Sequence, residues 1–475
     1  MDQYAFYPRI INPVKFSCAI IFTADEEVRK SNQVLIENMP WTEVKIFSDP
    51  FSVSQYKSDK ASIIILDDSG LIVVDADKIR QNNKDFVLVL LSSNDFVGCS
   101  PPSITIERYP YTEKADLIFA VDRDEFIPSH ILPSAVRCAE DLLNIKKYSR
   151  VRRYIFLLVD DEPRWFSQFL PVLYNIIGQR ADVMVARTLE EALQFLFGVE
   201  KESEIDDDRY LSMGHGDDVV CLIADIFFPK GNDLNSDAGK DLIRLTKKFY
   251  PRIPLIIASK AKEAFELKDK AFILPKGDPG SLQTLQDYIQ DFTGLGDFVL
   301  QDRKGKELSR LKDIYQMNEL LTEAKKQTTE AQKLREILEM YAEKDAFSTW
   351  LYMHGFRELG DEIRPKHGRG TDLLRQLIEP IEREISRIQS TPLVVGEERV
   401  FNLGDLLDAL REVEPEMIQH LSDNDVFSTW LDRKGYPELA EEIRPIHGSG
   451  AKLKEALTQS VSKWIALYQQ RGMPI

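Results

Sequence analysis

The chain has 475 residues, a length that suggests about three domains, with 43% apolar and 29% charged residues. That balance excludes a mostly disordered or fibrous chain. Sixty-one basic against 78 acidic residues give a formal charge of −17, an acidic surface that repels phosphate backbones and excludes nucleic acid as the expected partner. No basic cluster is long enough for a DNA-reading element. The four cysteines, Cys18, Cys99, Cys138 and Cys221, include no CxxC pair and read as buried small hydrophobes rather than a disulfide or metal framework. No apolar run approaches the ~20 residues that span a bilayer, and the first residues lack a charged-then-apolar leader. A reducing, cytoplasmic location away from membranes is expected.

In chain order, the first three hundred residues alternate short apolar runs with helix-permissive stretches. The runs of the first half are Cys18–Ala24, Ala61–Asp68, Asp85–Ser93 and Asp116–Asp122. Those of the second half are Tyr154–Glu162, Ala181–Arg187, Val219–Asp225, Ile253–Ser259 and Ala271–Lys276. Continuous apolar runs of this length mark strands buried on both faces. With helices between them they predict two tandem doubly wound α/β domains, over 1–148 and 149–295, meeting near Lys147–Arg152.

After about Gly296 strand-like runs vanish and an all-α region is predicted. Apolar or small residues at Ile314, Met317, Leu321, Ala324, Thr328 and Ala331 step by three and four, and Leu334, Leu338 and Tyr341 continue after a phase slip. This predicts a long linker helix over 296–344, with dimerisation through a coiled coil as the alternative, which leaves a homodimer open. A repeat follows: Asp345–Gly370 aligns without gaps with Asp425–Gly450, 80 residues on, and 16 of 26 positions are identical. Two helical repeats are therefore expected, over 345–392 and 393–475. Phe347, Trp350, Leu351 and Leu359, and their counterparts Phe427, Trp430, Leu431 and Leu439, fall at helical spacing and read as core. Ser348 and Ser428 either cap a helix or lie within one. His367 and His447 read as structural turn histidines, because no carboxylate or cysteine partner recurs at ligand spacing.

The chemistry-bearing residues lie in the second α/β domain. Asp160 and Asp161 end its first strand, Asp225 its third, Ser259 its fourth and Lys276 its fifth. In a parallel sheet, ligands bind at the carboxyl ends of the strands, so these residues should converge on one crevice. Clustered carboxylates attract a hard divalent cation such as Mg²⁺. One carboxylate can act as nucleophile towards a phosphoryl group, while a lysine and a hydroxyl meet charge on the transferring oxygens.

The order LLVDDEP, LIADIFFP, PLIIAS, FILPK resembles the receiver domain of two-component response regulators, which have the flavodoxin-like doubly wound fold. The resemblance implies Asp225 as phosphoacceptor and Asp160, Asp161, Asp225 and the backbone carbonyl of Phe227 as Mg²⁺ ligands. It implies Ser259 as the hydroxyl switch residue and Lys276 as the lysine of the site. Two departures stand out. The aromatic usual three residues before the lysine is replaced by Ile273, with Phe272 one earlier, and the loop Pro229–Gly239 is longer than usual. The first α/β domain resembles a degenerate receiver. Asp67 and Ser92 occupy the expected strand ends. The first strand, however, ends Thr23-Ala24-Asp25 without an acidic pair, and Val121-Asp122-Arg123 has no lysine in place. Packing or recognition, without phosphotransfer, is expected of it.

More narrowly, the stretches AEDLLNIKK, LLVDDEPRWFSQFLPVLY, GDFVLQDRKG and FSTWL…ELGDEIRP resemble the regulatory module joined to phosphoenolpyruvate synthase/pyruvate phosphate dikinase-like proteins. The resemblance covers most of 110–475. No dikinase domain, phosphohistidine or nucleotide-grasp region occurs before the chain stops at Ile475, so any link to such an enzyme is expected to act in trans. The leading expectation is a signalling protein, not an enzyme beyond its own phosphorylation, that takes a phosphoryl group on Asp225 from a histidine kinase or phosphotransfer protein. Its output would be protein binding through the helical repeats. The alternatives are a scaffold that is never phosphorylated and a cryptic enzyme built on His367, His447 or the Trp350 and Trp430 units. Neither a nucleophile–base pair nor a phosphate-cradling glycine loop supports the latter.

Overall fold

The computed structural model describes residues 44–59, 61–68, 76–83, 85–93, 115–121, 131–148 and 154–472, with breaks at 179, 206–213, 232, 252, 279, 303 and 365, together with Glu26 and Lys30. The predicted strand Cys18–Ala24 lies outside them. The described residues fall into two compact units. One lies within Val14–Asn175 and Ala181–Gln286, the other within Ile176–Arg180 and Asp287–Ile475. Both predicted α/β domains thus belong to one unit. Among the described residues no helix is long and apolar enough to cross a membrane.

In the first unit, β1 (Ser62–Asp68), β2 (Phe86–Ser93) and β3 (Leu117–Val121) form a parallel sheet in that order. A short helix α1 (Pro50–Ser54) and α2 (Ala76–Asn82) precede β1 and β2. Helix α3 (Ile131–Tyr148) then leads into the second sheet. It is fastened there by two polar residues. Arg137 lies 4.2 Å from the Tyr174 ring and donates to the Ala181 carbonyl at 3.1 Å. Asp141 accepts from the Tyr174 hydroxyl at 2.7 Å and from the Val183 amide at 3.0 Å. The latter bond satisfies a donor on the sheet's edge strand, which would otherwise be open to foreign pairing.

The second sheet contains β4 (Ile155–Val159), β5 (Asp182–Ala186), β6 (Val219–Ala224), β9 (Leu255–Ser259) and β10 (Phe272–Pro275), all parallel, in the order β5-β4-β6-β9-β10. This is the 2-1-3-4-5 order of a doubly wound sheet. Every residue of β4, β5 and β9 is buried, as a sheet covered on both faces requires. The helices are α4 (Pro163–Phe166), α5 (Leu170–Ile177), α6 (Leu189–Phe197), α7 (Ser236–Phe249) and α8 (Ser281–Thr293). Thr188 caps α6 by accepting from the Glu191 amide, and Gly198 ends it at φ 74. The connection from β9 to β10 is only a 3₁₀ segment, Lys262–Leu267. The long loop after Asp225 folds as a hairpin of β7 (Phe228–Lys230) and β8 (Asp233–Asn235).

The second unit corrects three expectations. The region is not all-α. A hairpin of β11 (Phe298–Gln301) and β12 (Glu307–Leu311) opens it, and a second, β13 (Leu393–Val395) and β14 (Glu398–Val400), lies midway. The second closes through Gly396 at φ 65, a conformation glycine adopts at no steric cost. The linker 296–344 is not one helix but that first hairpin followed by α9 (Ile314–Glu323) and α10 (Thr329–Glu343). Thr328 stops continuity because its hydroxyl accepts from the Ala331 amide at 3.1 Å and starts a new helix. The coiled-coil stripe is spent internally, since Met317, Leu321, Ala324 and Leu338 are fully buried in the unit's own core.

The repeat is also larger than the matched 26 residues. After the first hairpin come α9, α10, α11 (Ala346–Met353), α12 (Arg357–Ile363) and α13 (Gly370–Ser390). After the second come α14 (Leu403–Glu412), α15 (Pro415–Asp423), α16 (Val426–Arg433), α17 (Pro437–Ile443) and α18 (Gly450–Gln470). Among the described residues each half is therefore a hairpin and five helices, with its own core. Phe347, Trp350, Leu351, Leu359, Phe427, Leu431 and Leu439 are buried as predicted, while Trp430 is half-buried. Ser348 and Ser428 lie within helices, and their hydroxyls donate to the carbonyls of Asp345 and Asp425. The halves meet through buried polar groups. His354 Nδ1 lies 3.3 Å from Asp432, which also accepts from Arg180 of this unit at 3.2 Å. Burial opposes ionisation of Asp432, yet Arg180 and His354 outweigh it and hold the carboxyl well below the ordinary range.

Candidate functional site

Parallel strands deliver their C-terminal residues to one edge, and the local sequence keeps them there. The Asp160 amide donates to the Ala186 carbonyl at 3.1 Å and the Asp225 amide to the Val159 carbonyl at 2.9 Å. The ladder therefore continues one residue past β4 and β6 and fixes both aspartates side by side. Ser259 ends β9, opposite Pro275, and the Lys276 amide donates to its carbonyl at 3.4 Å. Gly239, in the first turns of α7, packs hard against the same edge. A Cβ there would come within 2.7 Å of Ile226 Cα and 2.8 Å of the Asp225 carbonyl oxygen. Only glycine allows the helix this close.

The Lys276 ammonium donates to carboxylate oxygens of both Asp160 and Asp225. Asp160 and Lys276 are 4% and 3% exposed, whereas the Asp225 side chain keeps 16%. Of the bonded three, Asp225 is thus the one reachable from solvent. The second Asp160 oxygen accepts from the Glu162 amide at 3.0 Å, and Asp225 accepts from the Ile226 amide at 2.6 Å. Asp161 is half-buried beside them, and the Ser259 hydroxyl accepts from the Ala261 amide at 3.3 Å.

The electrostatics follow from burial. Desolvation pushes the Asp160 carboxyl up to about 7, because the attraction of Lys276 does not fully offset it. Burial also raises Asp161. Burial opposes the charge on Lys276, but Asp160 and Asp225 together outweigh it and raise the ammonium above its ordinary value. Three carboxylates facing one ammonium leave the pocket short of positive charge. A divalent cation fits that deficit. Among the described residues no group of three or more His, Cys, Asp and Glu side chains forms a ready-made metal cage.

The structure therefore brings Asp160, Asp225 and Lys276 into direct contact, with Asp161 and Ser259 at the same edge and Phe227 half-buried two residues past Asp225. Ile273, at the position where an aromatic was expected, is half-buried against the core of this sheet, and Phe272 is half-buried beside it. Asp67 pairs in register with Leu91 and Asp68 with Ser92, while the side chains of Asp67 and Ser92 lie outside the description.

The histidines of the second unit correct a further expectation, since a carboxylate partner does recur. His367 Nε2 lies 2.9 Å from Asp345, and His447 Nε2 lies 3.5 Å from Asp425. Among the described residues Asp345 and Asp425 are the non-glycine residues at positive φ, 57 and 53. His367 is within hydrogen-bond distance of its carboxylate, His447 only at ion-pair distance from its own, and both carboxylates belong to left-handed helix-cap residues. Sequence reasoning also passed over Trp165 and Lys260, whose rings and charges meet only through folding.

No protein-family model matches the chain, and no curated protein matches it. Among solved structures it is similar to a crystal structure described, by inference, as a two-component system response regulator/GGDEF domain protein. The alignment covers 57% of this chain and 97% of that one, at 17% identity and a TM-score of 0.26. A likeness this slight carries no argument.

Proposed function

We propose that the second α/β region is a phosphoacceptor domain of response-regulator type and that Asp225 is the residue that takes the phosphoryl group. The observation that carries this reading is the joint one. A partly reachable carboxylate ends the central strand, bonded to a buried lysine that also holds a second, buried carboxylate. A structural ion pair needs one carboxylate per lysine, and burying further like charges is costly unless a cation or phosphoryl group uses them.

The step is a displacement at phosphorus. An Asp225 carboxylate oxygen forms the new P–O bond as the bond to the donor breaks, whether a phosphohistidine nitrogen or an acyl oxygen. The electron pair leaves with the donor, and a histidine donor takes a proton from solvent. Lys276 moves its ammonium from the free carboxylate towards the phosphoryl oxygens, and the Ser259 hydroxyl lies on the next strand end to donate to one of them. Mg²⁺ held by Asp160, Asp161, Asp225 and the Phe227 carbonyl would offset the remaining oxygen charge. The donor is a histidine kinase or phosphotransfer protein, and the output is protein binding through the duplicated hairpin-and-helix unit.

Incubation of the full chain with Mg²⁺ and acetyl phosphate, read by intact mass, tests this. One phosphoryl adduct on the native chain and none on Asp225→Ala is expected. An unmodified native chain, or an adduct that survives Asp225→Ala, would overturn the assignment.

A further inference from the structure

Trp165 stands at the mouth of this pocket. It lies in α4, five residues after Asp160, and the buried Phe166 beside it anchors the turn. Its ring is half-buried and touches the two other loops that bound the site. Lys260, which follows Ser259, places its ammonium 4.4 Å from the ring centroid. The Lys276 ammonium, bonded to Asp225, is 5.9 Å from the same centroid. Gly277, the next residue, lies so close that a Cβ on it would sit 3.4 Å from Trp165 Cζ3 and 3.4 Å from Lys260 Cε. Arg164 adds a third cation at 5.2 Å. Loops after β4, β9 and β10 thus close on one indole, and the attraction of cations for its face holds it over the lysine.

The ring reaches Asp225 only through the lysine bonded to it, and it adds an apolar surface without a titratable group on that side of the site. We propose that Trp165, pinned by Lys260, is the cover of the pocket and sets the lifetime of the acyl phosphate by limiting the approach of water. The proposal rests on the phosphoacceptor reading of Asp225. The step it slows is hydrolysis. A water oxygen bonds to phosphorus as the bond to the Asp225 oxygen breaks. The carboxylate is regenerated, and the phosphate leaves carrying both protons of the water.

The test measures two rates on the full chain by intact mass. They are the initial rate of adduct formation from acetyl phosphate with Mg²⁺, and the decay of the adduct after the donor is removed. Trp165→Ala should shorten the adduct half-life about tenfold, a loss of the order expected when a closed site admits water, with initial loading little changed. Trp165→Phe should restore the native lifetime, because a ring remains, and a merely structural role for Trp165 would not predict that separation of decay from loading. Lys260→Gln, at an exposed residue whose loss leaves the fold intact, should shorten the half-life about threefold. A native lifetime in Trp165→Ala, or the same short lifetime in Trp165→Phe, would overturn the cover. Should Trp165→Ala not fold, a native lifetime in Lys260→Gln overturns it instead. A native chain that takes no phosphoryl group overturns both this proposal and the reading beneath it.

Discussion

Replacing Asp160 by asparagine gives the sharpest test of the pocket's electrostatics. Burial raises this carboxyl from 3.8 to about 7 in the folded chain. Above pH about 4 the unfolded chain has released the proton, while the folded chain keeps it until pH about 7. The group's contribution to stability therefore falls as pH rises through that window and is level beyond it. Each pH interval of one costs about 1.36 kcal/mol, so the two from pH 5 to pH 7 amount to about 3 kcal/mol, with nothing further lost by pH 8. Asparagine cannot titrate. The stability gap between the native chain and Asp160→Asn should therefore shift by about 3 kcal/mol between pH 5 and pH 8, against the native chain. For a folding unit of this size that is a relative shift of about 6–12 °C in Tm. Calorimetry of both full chains across this range, without divalent cations, reads it directly. Mg²⁺ at pH 8 should raise the native transition and leave Asp160→Asn less affected. A gap independent of pH, or one that moves in favour of the native chain as pH rises, would refute the reasoning.

Three further substitutions have defined outcomes. Lys276→Met strips both carboxylates of their shared partner and should cost about 3–5 kcal/mol by denaturant titration at pH 8, less at pH 5 where Asp160 is protonated. Gly239→Ala puts a methyl 2.7 Å from Ile226 Cα and should cost about 1–3 kcal/mol while lowering adduct formation on Asp225, because the edge must shift. Trp350→Ala removes a ring that is 2% exposed, stacked on His354 at 3.9 Å and bonded to the Gly296 carbonyl at 3.0 Å. It should cost about 3–5 kcal/mol in thermal or denaturant unfolding, and more than Trp430→Ala at the matching, half-buried position of the second half.

The strands of the second sheet were legible because each is a continuous apolar run, and burial on both faces leaves no other composition for a parallel sheet. Val219–Asp225 became β6 with one residue trimmed, and Ala271–Lys276 became β10 with one trimmed at each end. Convergence of Asp160, Asp225 and Lys276 followed from strand order alone. The hairpins of the second unit were not legible, since three- to five-residue strands such as Leu393–Val395 carry too short a pattern to register against surrounding helix formers. Thr328 reads as one more position in a helical stripe, and only its side-chain bond to Ala331 reveals a helix start. The His367–Asp345 pair hid because its members are 22 residues apart, outside any local ligand spacing. Trp165 carried no signal because its contacts, Lys260 and Gly277, come from loops about 100 residues away in sequence.

The account stands or falls on where a phosphoryl group attaches. Treating the acetyl phosphate-loaded chain with borohydride reduces an aspartyl phosphate to homoserine, and peptide mass mapping then locates it. Homoserine at position 225 alone, lost in Asp225→Ala, is the predicted result. Homoserine at Asp160, at Asp67 or nowhere would contradict it.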